Sequence, residues 1–149
     1  GIGVTTTPAY NLDVSGDSRI GWHGSSTRIK LAPTDFIGVH YYGNCYTTTN
    51  GGSCAESYSP YDLITTVFIP TGYKATHARV YGTAAKSIYA YESSIENSVT
   101  TSKSSGCTTS SECDITDVSS TATNYLVIKF DGTASTDSIY GGYVTIAPI

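Results

Sequence analysis

Short stretches of alternating apolar and polar residues, separated by turn-forming residues, run through the second half of the chain. This alternation has the period of a β-strand, because successive side chains of a strand point to opposite faces. Windows with helical apolar spacing are absent, since glycines and β-branched residues interrupt every candidate. The pattern predicts strands at 63–69, 76–81, 87–92, 124–130 and 139–147.

The alternation also predicts which side chains of these strands face a core. Those expected on core faces are Thr76, Ala78, Val80, Ile88, Ala90, Leu126, Ile128 and Phe130. Tyr81, Tyr89 and Tyr91 are expected to share the opposite, non-core face of neighbouring strands. In the last strand, Gly141-Gly142 indicates a bulge or a close approach of two backbones.

Short strands at this spacing, with no helices between them, are typical of an antiparallel β-sandwich, and we predict one of the jelly-roll kind. The first 35 residues differ, because they are rich in glycine and carry few large apolar groups. Such a segment cannot bury enough surface to be stable alone. We therefore predict an extended, stalk-like assembly segment at 1–35 and a sandwich domain at 36–149.

Composition and charge exclude several classes of protein. Charged residues make up 13% of the chain, against roughly 25% in typical soluble domains. The net charge is −4 and the eight Lys and Arg residues are scattered along the sequence, so nucleic-acid binding is not expected. No apolar run approaches the roughly 20 residues of a membrane helix. Because the sequence opens on Gly1, we expect a fragment or a processed product.

Four cysteines form two local pairs, Cys45 with Cys54 and Cys107 with Cys113, and each pair brackets a loop of turn-forming residues. A disulfide within each pair is the natural expectation for a secreted composition, although four cysteines permit three pairings. Free thiols and a zinc site are the alternatives. Neither pair has the spacing of about two to four residues that zinc knuckles use.

The sequence predicts no catalytic residue, no metal site and no cofactor. Its histidines are His23, His40 and His77, and none belongs to a metalloprotease, nucleophile-elbow or phosphate-loop motif. His77 fits either a binding surface or an ordinary exposed strand position. The pair Glu92 and Glu96 could serve a glycosidase, but no cleft is predicted around it.

Asp13-Val14-Ser15-Gly16-Asp17 looks like half of a calcium loop but lacks the later glutamate of an EF-hand. A turn in which Asp and Gly satisfy the local backbone is the simpler interpretation. Asp114 and Asp117, which flank Ile115-Thr116, invite the same comparison. We therefore predict no metal site at either position.

Tyrosine is the dominant aromatic residue, with 13 tyrosines against three phenylalanines. Its ring packs while its hydroxyl bonds to a partner or to water, which suits recognition surfaces and sugar stacking. Packing between subunits also favours tyrosine. The residues expected to form a binding surface around the first cysteine loop are Tyr41, Tyr42, Tyr46, Tyr58 and Tyr61.

The N-terminal segment carries a recognisable order of motifs. It opens with Gly1-Ile2-Gly3, continues with Thr7-Pro8-Ala9-Tyr10 and reaches Leu12-Asp13-Val14-Ser15-Gly16-Asp17. This order resembles a segment that recurs in phage fibre proteins and bacterial surface adhesins. In those families the segment belongs to a trimeric, β-rich stalk, often just before a distal domain.

Three further runs are similar to virion proteins of marine cyanophages. They are the run from Trp22 to Leu31 with Asp35-Phe36, the run 69–76, and the run 139–147. The resemblance thus touches both ends and the middle of the chain, whereas the two cysteine pairs are not part of it. It implies a place in the virion, and the group has no assigned activity that could be carried over to this chain.

We therefore expect a non-enzymatic virion structural protein, either the distal domain of a trimeric fibre or a capsid decoration protein. Its expected partners are copies of itself, other virion proteins and host-surface glycans, with no nucleic acid and no membrane. The alternative is a stand-alone secreted carbohydrate-binding module. Both hypotheses place the protein on a virion or in the extracellular space.

Overall fold

The computed structural model describes residues 28–38, 45–48, 51–54, 62–134 and 136–149; for 45–48 and 51–54 it describes the backbone alone. The strands are β1 (Arg28–Leu31), β2 (Ile37–Gly38), β3 (Cys45–Thr48), β4 (Gly51–Cys54), β5 (Leu63–Val67), β6 (Tyr73–Gly82), β7 (Ser87–Ser94), β8 (Thr100–Ser102), β9 (Cys107–Thr108), β10 (Cys113–Ser119), β11 (Asn124–Asp131) and β12 (Ile139–Pro148). A 3-10 helix, Pro33–Asp35, joins β1 to β2. The described part of the chain contains no α-helix, and so none that could span a bilayer.

Two antiparallel sheets pack face to face, which confirms the predicted β-sandwich. The four-stranded sheet has the order β1-β12-β6-β10, and the larger sheet has the order β2-β5-β11-β7-β8, with β9 also paired to β7. From β5 to β7 and again from β9 to β12, successive strands alternate between the sheets. This is the double Greek-key order of a jelly roll. The β3–β4 hairpin pairs separately and lies against the 3-10 helix and β12.

The core lies between the two sheets and follows the predicted alternation. Leu126, Ile128 and Phe130 of β11 are fully buried, beside Ile88 and Ala90 of β7. The buried hydrophobic residues that the four-stranded sheet contributes are Ile29, Leu31, Ala75, Ala78, Val80, Cys113, Ile115, Val118, Ile139, Val144 and Ile146. Apolar burial of this kind is the main favourable term in folding.

One core position was predicted wrongly, at the start of β6. Thr76 was expected beside Ala78 and Val80, but Ala75 takes the buried place and Thr76 is only half-buried. The register explains this, since Thr145 is opposite His77 whereas Ile146 is opposite Ala75. Thr76 is therefore the extra residue of a β-bulge, and a bulge reverses the alternation.

The predicted close approach at Gly141-Gly142 is confirmed. The register of β12 against β6 shifts between Ile139 and Gly141, and the φ of Gly141 is +120°. A Cβ atom on Gly142 would lie 2.2 Å from the carbonyl oxygen of Arg79. Only glycine allows β6 and β12 to pair at this distance.

The sandwich extends N-terminal to the predicted boundary between 1–35 and 36–149. β1 pairs with β12 along its whole length, and Ile29 and Leu31 are buried in the core. Residues 28–31 therefore form an edge strand of the jelly roll. The rest of the predicted stalk segment, residues 1–27, lies outside the described residues.

The predicted disulfide between Cys107 and Cys113 is present, with a Cα–Cα distance of 5.4 Å. Cys107 is opposite Ile88 in the larger sheet, and Cys113 is opposite Ala78 in the four-stranded sheet. The bond therefore ties the two sheets together as well as closing a surface loop. Cys45 is opposite Cys54 in the β3–β4 hairpin, and the predicted bond between their side chains lies outside the described part.

Candidate functional site

The side chains of the tyrosine cluster predicted as a binding surface lie outside the described part of the chain. Tyr41, Tyr42, Tyr58 and Tyr61 lie outside the described residues. Tyr46 belongs to β3, where its backbone pairs with Ser53, and its side chain is outside the described part. The cluster stays a prediction.

The prediction that Tyr81, Tyr89 and Tyr91 share one surface is wrong. Tyr81 lies on β6, in the four-stranded sheet, whereas Tyr89 and Tyr91 lie on β7, in the larger sheet. Because each side chain points away from the core, they occupy opposite sides of the sandwich. Two separate outer faces are therefore candidates for binding.

The outer face of the four-stranded sheet gathers positive charge. Lys30 on β1 is opposite Tyr143 on β12, and Tyr143 is opposite Arg79 on β6. Arg28 stands two residues before Lys30 and points to the same side. We call this surface, with Arg28, Lys30, Arg79, Tyr81 and Tyr143, the cationic face.

The two arginines of the cationic face stack on its two tyrosines. The Cζ atom of Arg28 lies 4.1 Å from the centre of the Tyr143 ring, and the Cζ atom of Arg79 lies 4.8 Å from that of Tyr81. The rings of Tyr81 and Tyr143 are themselves in contact, with centroids 6.2 Å apart. Cation–π contacts of this kind hold each guanidinium in one orientation.

The cationic face differs from the rest of the described surface in having basic side chains without a carboxylate partner. Lys74, Lys86, Lys103 and Lys129 each place Nζ within 2.6–2.8 Å of a carboxylate oxygen. Among the described residues, the Lys and Arg side chains without a carboxylate partner are Arg28, Lys30 and Arg79. All three lie on the cationic face.

Acidic residues border the cationic face on the side of β10. Glu112 accepts a hydrogen bond from Thr145 Oγ1 at 3.2 Å. Burial, with a smaller effect of Glu112, raises the pKa of Tyr143, so this tyrosine stays neutral at physiological pH. Asp114 is 3.8 Å from His77 Nε2. The face thus grades from positive at β1 to negative at β10.

The outer face of the larger sheet is apolar. Neighbouring strands of this sheet present outward-pointing side chains side by side. Phe68, just after β5, packs against Tyr125, with ring centroids 6.2 Å apart. Phe68 is 73% exposed and Ile37 is 61% exposed. We call this surface the apolar face; its residues are Ile37, Ile64, Phe68, Tyr89, Tyr91, Tyr125 and Val127.

The charged residues of β11 on the apolar face are grouped around Asp62. Lys129 Nζ lies 2.8 Å from Asp62 Oδ2 and 5.7 Å from the centre of the Tyr89 ring. Burial and a hydrogen bond with Asp62 raise the pKa of Asp131. Lys129 is thus paired with Asp62, whereas the other Asp62 oxygen, Oδ1, is buried without a hydrogen-bond partner among the described residues.

The remaining polar candidates have structural partners or lie outside the description. Glu92 bonds to Lys103 and Asn124 at 2.8 and 2.7 Å, which accounts for the lowered pKa of Glu92. Asp117 is held by Lys74. No group of three or more metal-ligating side chains occurs among the described residues. The candidates outside the description are His23, His40, Asp13 and Asp17.

A shallow depression of about 430 Å³ opens beside β10 and is lined largely by serines and threonines. Lys103, one of its lining residues, is already paired with Glu92. Asp114 is its other charged residue. The depression therefore offers little to a ligand compared with the two outer faces.

The cationic face was missed because its basic residues are far apart in the sequence. Arg79 was expected on the outer side of β6, and this is confirmed. Arg28 and Lys30 alternate with Ile29 and Leu31, and that alternation was a signal for a strand. The fold brings these strands together on either side of β12.

Comparison with protein-family models and with curated proteins gave no match for this chain. The two outer faces, and the resemblance of sequence motifs noted above, therefore carry the functional argument.

Proposed function

We propose that this protein is a non-enzymatic structural protein of a virion, the distal domain of a trimeric fibre or a capsid decoration protein. It acts by contact with copies of itself, with other virion proteins and with host-surface glycans. The proposal places it on the virion, outside the cell. The disulfide between Cys107 and Cys113 is compatible with that oxidising setting.

The apolar face is the observation that carries the assembly part of the proposal. Large apolar side chains exposed together usually mark a surface that a partner covers. The face is rich in aromatic and aliphatic side chains, and its lysine, Lys129, is paired with Asp62, which suits burial between subunits. A symmetric oligomer would cover the face with its own copies.

Two further observations support the same proposal. The jelly-roll order of the strands occurs in viral capsid and lectin domains, although a fold alone does not establish a function. The motif order in residues 1–27 resembles the trimeric stalk of phage fibres. Both are consistent with a domain that works in an assembly.

The test of assembly is the mass in solution, measured by light scattering over a range of concentrations. We expect a trimer for the full chain and a monomer for the double variant Ile37→Ser/Phe68→Ser. Both side chains are exposed, so their replacement should leave the fold intact, as circular dichroism would verify. The control is Tyr140→Ser, which removes a side chain that is 64% exposed on the other sheet.

A full chain that is monomeric at every concentration would refute the assembly proposal. A trimer that survives the double variant would refute the role of the apolar face. Deletion of residues 1–27 tests the stalk separately, and it must stop before Arg28 because β1 belongs to the sandwich. Immunogold labelling of virions whose genome encodes the chain tests the proposed location.

The second candidate function is a stand-alone secreted carbohydrate-binding module. The cationic face favours it, because arginine and tyrosine side chains are well suited to bind sugars that carry acidic groups. This function requires no oligomer. A monomer that binds glycans would therefore favour it over the virion proposal.

A further inference from the structure

We propose that the cationic face binds an acidic polysaccharide, with Arg28, Lys30 and Arg79 pairing with its carboxylate or sulfate groups. This inference rests on the recognition role proposed above and not on the trimer. It assigns a ligand class and a site that differ from the tyrosine cluster predicted around the first cysteine loop.

The cationic face carries positive charge that no carboxylate of the described residues neutralises. A chain of net charge −4 places its three described basic side chains that lack a carboxylate partner on one surface. Arg28 and Lys30 are exposed, and Arg79 is half-buried beside them. Accessible cations that no carboxylate neutralises are the complement of an anionic ligand.

The stacking of the two arginines on tyrosine rings leaves their hydrogen-bond donors accessible. A guanidinium that stacks on a tyrosine uses its flat face, whereas its N–H donors lie in the plane of the group. The donors of Arg28 and Arg79 therefore remain available for bidentate bonds to a carboxylate or sulfate. Tyr143 and Tyr81 hold the two groups in place before the ligand arrives, which reduces the entropy lost on binding.

The basic residues of the cationic face come from strands on either side of β12. Arg28 and Lys30 lie on β1, and Arg79 lies on β6, on the far side of β12. The backbones of β1 and β6 are two strand spacings apart, roughly 10 Å, so the charges are spread across the width of three strands. A polymer with repeated acidic groups fits such a row, since successive groups would meet charges from β1 and then from β6.

The surroundings favour a saccharide over a nucleic acid. Three free cations are few for a phosphate backbone, whose binding depends on neutralising many phosphates at once. The carboxylates of Glu112 and Asp114, on the β10 side, can accept hydrogen bonds from sugar hydroxyls. Tyr81 is 45% exposed, so part of its ring can also contact a sugar.

The experiment measures binding of the full chain to polygalacturonate, dextran sulfate and neutral dextran by calorimetry at low salt. We expect binding to one or both acidic polymers, none to neutral dextran, and weaker binding as salt rises. Preference between the two acidic polymers identifies the acidic group. Arg28→Gln and Arg79→Gln should each weaken binding about tenfold, since each removes a charge-assisted contact.

The matched control is Lys74→Gln. It removes the same charge from the same sheet, but Lys74 is already paired with Asp117, so binding should change less than twofold. Arg79→Lys keeps the charge and loses the planar fork, so binding should fall between wild type and Arg79→Gln. Thermal melts of each variant verify that it is folded.

The inference is overturned if the full chain binds neither acidic polymer, or binds neutral dextran equally well. It is also overturned if Lys74→Gln weakens binding as much as the arginine variants. Light scattering on the same samples separates this result from the assembly proposal. A monomer that binds keeps the site and refutes the trimer, whereas a trimer that does not bind does the reverse.

Discussion

Lys86 and Asp137 form an ion pair of 2.8 Å in which the Asp137 side chain is only 4% exposed. The same carboxylate oxygen accepts hydrogen bonds from the backbone amides of Thr133 and Ala134, at 2.7 and 2.9 Å. Burial alone would raise the pKa of Asp137, but Lys86 and the two amides outweigh it, so the pKa is lowered. The pair fixes the loop between β11 and β12 against the start of β7.

We expect Asp137→Asn to reduce the free energy of unfolding by about 2–3 kcal/mol at pH 7, because it leaves Lys86 without its charged partner. A carboxylate with a lowered folded pKa stabilises fully above its unfolded pKa of about 3.9 and loses that effect at lower pH. The difference between wild type and variant should therefore shrink below about pH 4. Urea unfolding from pH 3 to 7 measures it.

The control for this prediction is Asp117→Asn, which breaks the exposed pair with Lys74. Surface ion pairs of this kind contribute roughly 0–1 kcal/mol, so the loss should be smaller. Equal losses in the two variants, or a difference for Asp137→Asn that does not change with pH, would contradict the assignment.

Asp131→Asn should change the free energy of unfolding in the opposite direction. The folded pKa of Asp131 is raised by burial and by its hydrogen bond with Asp62, so its ionisation destabilises the fold as the pH rises above about 3.9. The variant should be as stable as wild type at pH 3 and more stable by roughly 0.5 kcal/mol at pH 7. The same urea series measures it, and a variant less stable than wild type at pH 7 would refute this sign.

Loss of the disulfide should cost stability without loss of the fold. The bond between Cys107 and Cys113 closes a loop with a sequence separation of six, and a loop this short gives about 2 kcal/mol in the chain-entropy model. We expect Cys107→Ala/Cys113→Ala to lower the free energy of unfolding by that amount. Urea unfolding in the presence and absence of a reductant measures it.

If the bond has the predicted effect, reductant should change the variant much less than it changes wild type. Any effect that remains in the variant belongs to Cys45 and Cys54. The variant Cys45→Ala/Cys54→Ala isolates that contribution. A double alanine variant at 107 and 113 as stable as wild type would show that the bond contributes nothing.

Two glycine-to-alanine variants distinguish a steric requirement for glycine from a conformational one. In Gly142→Ala the new Cβ would meet the Arg79 carbonyl at 2.2 Å, so β6 and β12 must move apart. Gly72 has a φ of +85° but open space around it, so Gly72→Ala should cost roughly 1–2 kcal/mol from backbone strain alone. We expect Gly142→Ala to cost more and to lower the thermal midpoint further, as calorimetry would show. The reverse order would contradict the close approach.

Much of the fold could be predicted because alternation and core position coincide in β7 and β11. Ile88, Ala90, Leu126, Ile128 and Phe130 all face the core as their spacing requires. The bulge at Thr76 could not be predicted, because a single extra residue leaves no mark in composition. β1 was assigned to the stalk segment because its alternation covers only four residues.

The cationic face depends on which strands become neighbours, and the sequence does not state this directly. Arg79 was placed on the correct side of β6, but its neighbours come from the other end of the chain. Local periodicity predicts a side chain's direction, whereas long-range pairing decides what stands next to it. Charge counted along the sequence therefore underestimated charge gathered on a surface.

The strands at the edges of the described sheets are short or irregular. β2, β8 and β1 have two, three and four residues, and the register of β10 shifts between Asp114 and Val118. Such edges are poor templates for a further strand, which is how natural sheets avoid open-ended growth. Copies that meet through their faces, as proposed above, would instead form a closed assembly of fixed size, and this domain should resist polymerising into fibrils even at high local density.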